Sequence, residues 1–155
     1  MNNSNNLLSQ PNSRPSQWAI YGALIASLVG FADALYLTIN HYRQAIPPCA
    51  IGSCETVLIS RFATWQGIPM SLLGVVVYFI VGFLILLYLE GHQVKFLKLA
   101  AGLAAASFVV SLILVLLQLF VLDAVCLYCM VSAIASVLMF VCTTAFWKLF
   151  KNPAN

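Results

Sequence analysis

Three long apolar stretches, separated by polar ones, dominate the chain. The first runs from about Trp18 to Ile39 and the second from about Met70 to Leu89. A third stretch, Leu97 to about Phe146, is almost wholly apolar and is interrupted mainly by Gln118 and Asp123. A spanning helix needs about 20 apolar residues, so this stretch holds two crossings. Asp123 is the polar break where a hairpin fits, which predicts helices over about 97–121 and 123–147. Glu90-Gly91-His92-Gln93, with Lys95 and Lys98, reads as a tight polar turn. Residues 40–69 are polar and turn-rich, with Pro47-Pro48, Gly52-Ser53 and Gly67-Ile68-Pro69. Residues 1–17 are rich in Asn, Ser, Gln and Pro and read as a disordered tail, with no cleavable signal peptide before the first span. A second short tail covers 148–155. The expected fold is all-α: one integral membrane domain over 18–147, built as a bundle of four transmembrane helices.

Composition narrows the function classes. The 155 residues are 63% hydrophobic and 7% charged, with a mean hydropathy of +0.99. Soluble domains carry about 25% charged residues, so a water-soluble globule is excluded. A formal charge of +3 without a basic cluster excludes a nucleic-acid binder. Arg14, Lys95, Lys98, Lys148 and Lys151 fall on one side of the predicted topology, Arg43 and Arg61 on the other. The richer side should be cytoplasmic. Both termini are then inside and the 40–69 loop is outside. Gly22, Ala26 and Gly30 recur every four residues on the first helix, and Gly102 sits in an Ala-rich stretch; both are expected to allow close helix packing. Trp18, Trp65 and Trp147 lie near span ends and read as interface anchors. His41 reads as interfacial.

The candidate chemistry lies in cysteine. Cys126-Leu127-Tyr128-Cys129 falls at the start of the fourth helix, just after Asp123, which is expected to be its N-cap. Residues three apart share a helix face. A helix N-terminus stabilises a thiolate through its dipole and unpaired N–H groups, which suits reversible disulfide exchange. The pair should lie about one turn below the outer surface, where it can meet a lipid-soluble oxidant. Cys49 and Cys54 lie in the outer loop, as either a loop staple or an exposed pair able to exchange with a soluble thiol protein. Together the two pairs would conduct electrons from water to membrane. Cys142 lies about 20 Å deeper along the helix and reads as a small buried hydrophobe. The structural alternatives are a static disulfide pinning the fourth helix and a zinc site from both pairs. A dry helical location suits four thiolates around zinc poorly, and no metal is expected.

A loop Cys pair, Ser60 six residues after Cys54, Gly67-Ile68-Pro69, Gly74 and CxxC on the fourth helix follow one another in order. This order resembles the vitamin K epoxide reductase family, and the Asp33-Ala34-Leu35-Tyr36-Leu37-Thr38…His41 run is similar to its bacterial members. The resemblance covers about Trp18 to Trp147. It implies an outer loop and half-helix capping a quinone pocket inside the bundle. It further implies that Cys49 exchanges with a partner, Cys54 relays to Cys126, and Cys129 faces the quinone. Ser60 would lie in the half-helix near that pocket. The partner implied is a separate thioredoxin-fold, DsbA-like protein outside the bacterial inner membrane. The electron acceptor would be ubiquinone, menaquinone or a similar quinone. Animal members carry an Asn near the start of helix two and a Tyr four residues after the second CxxC sulfur. Met70 and Ala133 stand there instead, which favours a plain quinone over vitamin K epoxide.

Asp33, Tyr36 and Asn40 share one face of the first helix. An intramembrane carboxyl is a functional candidate by default, and quinone reduction needs two protons. Asp33 is therefore the candidate proton relay, against a plain hydrogen-bonded stripe. Other readings of the whole chain are a thiol-driven epoxide or quinone reductase and a non-enzymatic scaffold or carrier with structural disulfides. A DsbB-like enzyme would place its CxxC in the first outer loop, the reverse of the order here. The orientation is directly testable in a background whose other cysteines are replaced by serine. A membrane-impermeant maleimide should label reduced Cys49 in intact cells, but not a Gln93→Cys variant lacking Cys49. The reverse pattern would put the loop on the reducing side and end the export reading.

Overall fold

The computed structural model describes residues 17–45, 54–60 and 62–151, with side chains for 18–45, 54–60 and 62–145. Within them the chain forms α1 (Gln17–Tyr42), α2 (Cys54–Leu58), β1 (Thr64–Trp65), β2 (Ile68–Pro69), α3 (Met70–Gly91), α4 (Val94–Phe120) and α5 (Leu127–Lys151). Four of these helices are long and apolar enough to cross a membrane: Trp18–Tyr42, Met70–Gly91, Val94–Phe120 and Leu127–Ala145. At 1.5 Å per residue, even the 22 residues of α3 reach about 33 Å, slightly more than the hydrocarbon core. The architecture is the expected all-α membrane bundle. Helices α1 and α4 begin or end about three residues beyond their expected limits, because polar residues continue the hydrogen-bonded spiral past the apolar run.

The four long helices form a ring in which α1 packs on α3 and α5, and α4 closes it between them. Consecutive helices run antiparallel, so the α1–α3 connection and the α4–α5 turn share one end, which carries the paired cysteines. The bundle is inverted relative to a soluble protein. Ser27, Thr38, Gln118, Ser136 and Thr143 are buried, while Ile25, Phe79, Phe120 and Ile134 face outward. Lipid solvates apolar side chains as well as a protein core does, so burial is assigned by size and hydrogen bonding. Accordingly Ala23, Ala26, Ala100, Ala104 and Ala135 fill much of the centre around Val81, Ile85 and Met139. Buried hydroxyls return to their own helices, as in Thr38 Oγ1–H to the Ala34 carbonyl at 2.8 Å and Thr143 Oγ1–H to the Met139 carbonyl at 2.8 Å. Trp18 and Trp65 are strongly exposed, as anchors should be; the Trp147 side chain lies outside the described residues.

Two turns depart from expectation. Between β1 and β2, Gln66 and Gly67 both take positive φ, at 53° and 85°, which is the two-residue hairpin geometry that matches strand twist. The turn-rich reading of this loop gave no hint of paired strands. The Met70 N–H then donates to the Ala63 carbonyl at 2.9 Å, tying the hairpin to the start of α3. In the α4–α5 turn, Asp123 does not cap α5. It takes φ 46°, a left-handed conformation that Asp tolerates, and turns the chain four residues before α5 begins.

The small-residue stripe is half correct. A Cβ on Gly30 would stand 2.5 Å from the Tyr78 ring, and one on Gly22 would stand 3.2 Å from Cys142 Sγ. Gly102, in contrast, has nothing within 4 Å of that position, so it brings no helices together. Gly30→Ala should therefore force Tyr78 out of place and destabilise the bundle by about 1–3 kcal/mol. Gly102→Ala should be neutral or raise stability by up to about 1 kcal/mol. Thermal unfolding of the two variants in detergent checks the contrast, and equal behaviour would contradict this packing.

Candidate redox site

The site begins with a helix of five residues. In Cys54-Glu55-Thr56-Val57-Leu58, positions one, four and five are apolar and fall on one face, and Glu55 complements the helix N-terminus. That face docks on the α4–α5 turn. Cys54 (1% exposed) and Val57 pack with Ala124 and Cys126 (0% exposed) in one buried cluster, bordered by Leu58, Leu122, Tyr128 and Cys129. The expected exposed outer pair is thus corrected for Cys54, which is sealed against helix α5 rather than facing water. Cys54 is disulfide-bonded, whereas Cys126, Cys129 and Cys142 are free thiols. Cys49 lies outside the described residues.

Ser60 follows α2 rather than lying within it. Its hydroxyl donates to the Val57 carbonyl at 2.7 Å, and its N–H reaches the same oxygen at 3.3 Å. These bonds satisfy an acceptor that the helix end leaves open. Ser60 therefore holds the end of the half-helix while standing at the cavity described below.

Cys126 is itself the N-cap of α5. Its carbonyl accepts the first helical bond, from the Met130 N–H at 3.0 Å, and its sulfur faces the N–H groups of Tyr128 and Cys129. Its own N–H donates to Gln118 Oε1 at 3.1 Å. Cys126 lies just ahead of the Leu127–Ala145 span. A hydrogen bond from the Cys129 side chain holds its thiol below the usual range, at about 7. Burial opposes that shift, the two backbone N–H groups reinforce it, and Asp33 opposes it weakly. Gln118 had registered in the sequence only as a break in an apolar run. Here it is buried (3% exposed) and joins α4 to the CxxC turn.

Beneath α2 a cavity of about 380 Å³ opens between α1, α3, α4 and α5. Val57, Leu58, Ser60, Phe62 and Ala63 roof it; Cys129 and Gln118 stand in its wall, as do Met70 and Ala133. Its walls are chiefly Leu, Val and Ala, with hydroxyls from Ser71, Ser107, Ser111 and Ser132. Tyr78 Oη–H donates to the Ser132 carbonyl at 2.7 Å, the Thr38 and Ser71 hydroxyls bond to each other at 3.0 Å, and the Ser136 and Ser111 hydroxyls at 2.9 Å. His41 also lines the cavity, beyond the interfacial place expected of it. Asp33 is not part of this lining. Its Oδ2 is buried without a hydrogen-bond partner, while the rings of Tyr36 and Tyr128 meet nearby on the α1 and α5 surfaces at 5.3 Å. Cys142 packs against the apolar core away from this end, as expected. Among the described residues, no three His, Cys, Asp or Glu side chains gather as a metal site requires.

The arrangement can perform thiol–disulfide exchange across a dry interface, since a sulfur of the cap touches the cluster of the first CxxC sulfur and the second CxxC sulfur faces a cavity. A lowered Cys126 thiol is populated as thiolate above a pH of about 7, rather than only above the ordinary thiol range. Ultraviolet thiolate absorbance of the protein with its inner pair reduced should therefore rise through about 7. In a Cys49→Ser, Cys54→Ser background, where no outer disulfide can crosslink Cys126, Cys129→Ala should move that rise to higher pH, because the Cys129 hydrogen bond is the largest cause. A rise that stays in place in the variant would contradict this electrostatic account.

No curated protein matches the chain. The sequence profile of the Vitamin K epoxide reductase family, however, matches residues 22–144, most of the chain. The match takes in most of α1 and α5 and all of α2, α3 and α4, with both members of the CxxC pair. Together with the membrane bundle, it identifies the chain as a multi-pass membrane protein of the vitamin K epoxide reductase family, with the oxidoreductase activity and general link to quinones that the family implies.

Proposed function

We propose that the protein is a thiol oxidase that takes two electrons from a reduced thioredoxin-fold, DsbA-like partner and delivers them to a quinone, supporting disulfide bond formation. The observation that carries this reading is the shared burial of Cys54 with Cys126, one helical turn from a Cys129 that lines the cavity. A soluble partner cannot touch a fully buried Cys126, so an intermediate carrier is required. Cys54 on α2 fills that place.

The exchange balances as follows. A partner dithiol reduces the Cys49–Cys54 disulfide and leaves oxidised. The Cys54 thiolate attacks Cys126 of a Cys126–Cys129 disulfide; the Cys54–Cys126 bond forms, the inner bond breaks, and its electron pair leaves on Cys129. Cys49 then closes on Cys54 and releases Cys126. The outer pair is again a disulfide and the inner pair a dithiol, which is the distribution of Cys54 bonded and Cys126 and Cys129 free. The inner dithiol passes two electrons and two protons to the substrate quinone, which leaves as quinol.

The cavity suits that substrate in size and lining, because small-molecule sites of about 300–1,000 Å³ are mostly apolar with a few placed polar groups. Met70 and Ala133 line it with a thioether and a methyl, which leaves space for a plain quinone ring. The Ser60 hydroxyl proton is committed to Val57, so Ser60 has none for a quinone carbonyl and helps orient the ring by accepting from the O–H that appears on it as it becomes quinol. Asp33 takes the proton role: its unpartnered Oδ2 belongs to a carboxyl that acts electrostatically on Tyr78, Cys126 and Cys129. The positive-charge bias supports an outward-facing cysteine-bearing end, in keeping with a bacterial inner-membrane protein that oxidises an exported partner.

The relay has a trappable intermediate. In Cys129→Ala no inner disulfide can form, so the Cys126 thiolate instead attacks Cys54 of the outer disulfide and Cys49 leaves as the thiolate; once alkylation blocks Cys49, the Cys54–Cys126 bond has no exit and should accumulate as a stable crosslink. Non-reducing electrophoresis and peptide mapping should recover that pair. An intact outer disulfide beside a free Cys126 would show instead that the loop is only a staple.

A further inference from the structure

The side-chain amide of Gln118 faces the cysteine pair, although nothing in the relay above uses it. Its side chain is buried in an otherwise apolar helix, an expensive place for an amide unless both its ends are engaged. The Cys126 N–H can only donate, so the 3.1 Å contact must be made by the amide oxygen. That bond fixes the flat amide and turns its NH2 group away from Cys126. On that side stands Cys129, whose sulfur the Gln118 side chain hydrogen-bonds, and both residues line the cavity.

From this geometry we infer that Gln118 stabilises the leaving sulfur of the inner disulfide. Its Oε1 holds the Cys126 backbone in place, and its Nε2 donates to Cys129 as the electron pair arrives there. The inference rests on the relay proposed above. When Cys54 bonds to Cys126, Cys129 takes the electrons of the broken bond in a wall of Leu, Val and Ala. The chiefly apolar wall stabilises a thiolate poorly, and the fixed amide supplies a donor to it. Charge-assisted hydrogen bonds of this kind exceed neutral ones in strength. The same donor must release the sulfur when the dithiol is oxidised again, which a neutral amide allows and a fixed cation would hinder.

The test compares wild type, Gln118→Leu and Gln118→Glu, full-length in proteoliposomes, with dithiothreitol as donor and a soluble short-chain quinone as acceptor. Gln118→Leu should lower the rate about tenfold or more, the size expected for one lost bond to a charged group. Gln118→Glu is the decisive variant, because it keeps an acceptor for the Cys126 N–H at every pH. As its carboxyl ionises it loses the donor and repels the Cys129 thiolate. Its rate relative to wild type should therefore fall as pH rises from mildly acidic to mildly alkaline. A purely structural role, holding the Cys126 N–H, predicts a constant or rising ratio, and that result would overturn the inference. The other ionisable groups near this corner are Cys126 and Tyr128 of α5, Asp33 of α1, Tyr78 of α3 and His41 at the cavity. From α2 only the disulfide-bonded Cys54 faces it. All are shared by the variants, so the ratio cancels them. A wild type that reduces no quinone with any dithiol would remove the functional reading and this inference together; an active wild type tracked by the Glu variant would remove the inference alone.

Discussion

The site depends on one packing interaction, the docking of the apolar face of α2 on the α4–α5 turn. A five-residue helix has no stability of its own, since helix nucleation costs more than one turn returns. It exists here because Cys54, Val57 and Leu58 find Ala124, Cys126 and Leu122. The same contact roofs the cavity and excludes water from Cys126. It also brings a disulfide carried on a loop against the first sulfur of a helical CxxC pair. If the face came away, the cavity would lose its roof and Cys126 its cover at once.

The bundle supplies what that contact docks onto. Lipid removes the usual hydrophobic drive between helices, so the centre is filled with alanines and self-bonded hydroxyls rather than large side chains. Small residues at the middle leave the cysteine-bearing end able to stay open as a cavity. Polar groups there are held by neighbours, as Tyr78 is by Ser132 and Thr38 by Ser71. Two groups stand apart from this economy. Asp33 keeps a buried oxygen without a hydrogen-bond partner, and Gln118 directs its amide toward the Cys126 backbone N–H and the Cys129 sulfur.

Much of this could be read from the chain before its structure. Long apolar runs give spanning helices almost without ambiguity, and a CxxC at the start of one announces redox chemistry. The order of Ser60, Gly67-Ile68-Pro69 and the CxxC pair carried the family. What escaped was set by tertiary contact. One turn of helix at Cys54–Leu58 is too short for periodicity to reveal, so Cys54 read as exposed. Asp123 satisfied the rule for an N-cap, yet the reversal needed a residue tolerant of positive φ, and the cap passed to a sulfur. Gly102 looked like its neighbours in the small-residue pattern, but pattern does not say which face meets a partner. Gln118 was visible as a lone polar residue; its bond to a backbone N–H eight positions on was not.

The central claim is that electrons cross the membrane boundary through Cys54, Cys126 and Cys129 to a quinone. The most direct measurement follows quinone absorbance when purified protein in proteoliposomes meets a reduced thioredoxin-fold, DsbA-like partner. The account predicts one quinol for each disulfide formed in the partner, with turnover abolished in Cys126→Ala. Quinone reduction that persists unchanged in that variant, or none from wild type although its outer disulfide is reduced by the partner, would contradict it.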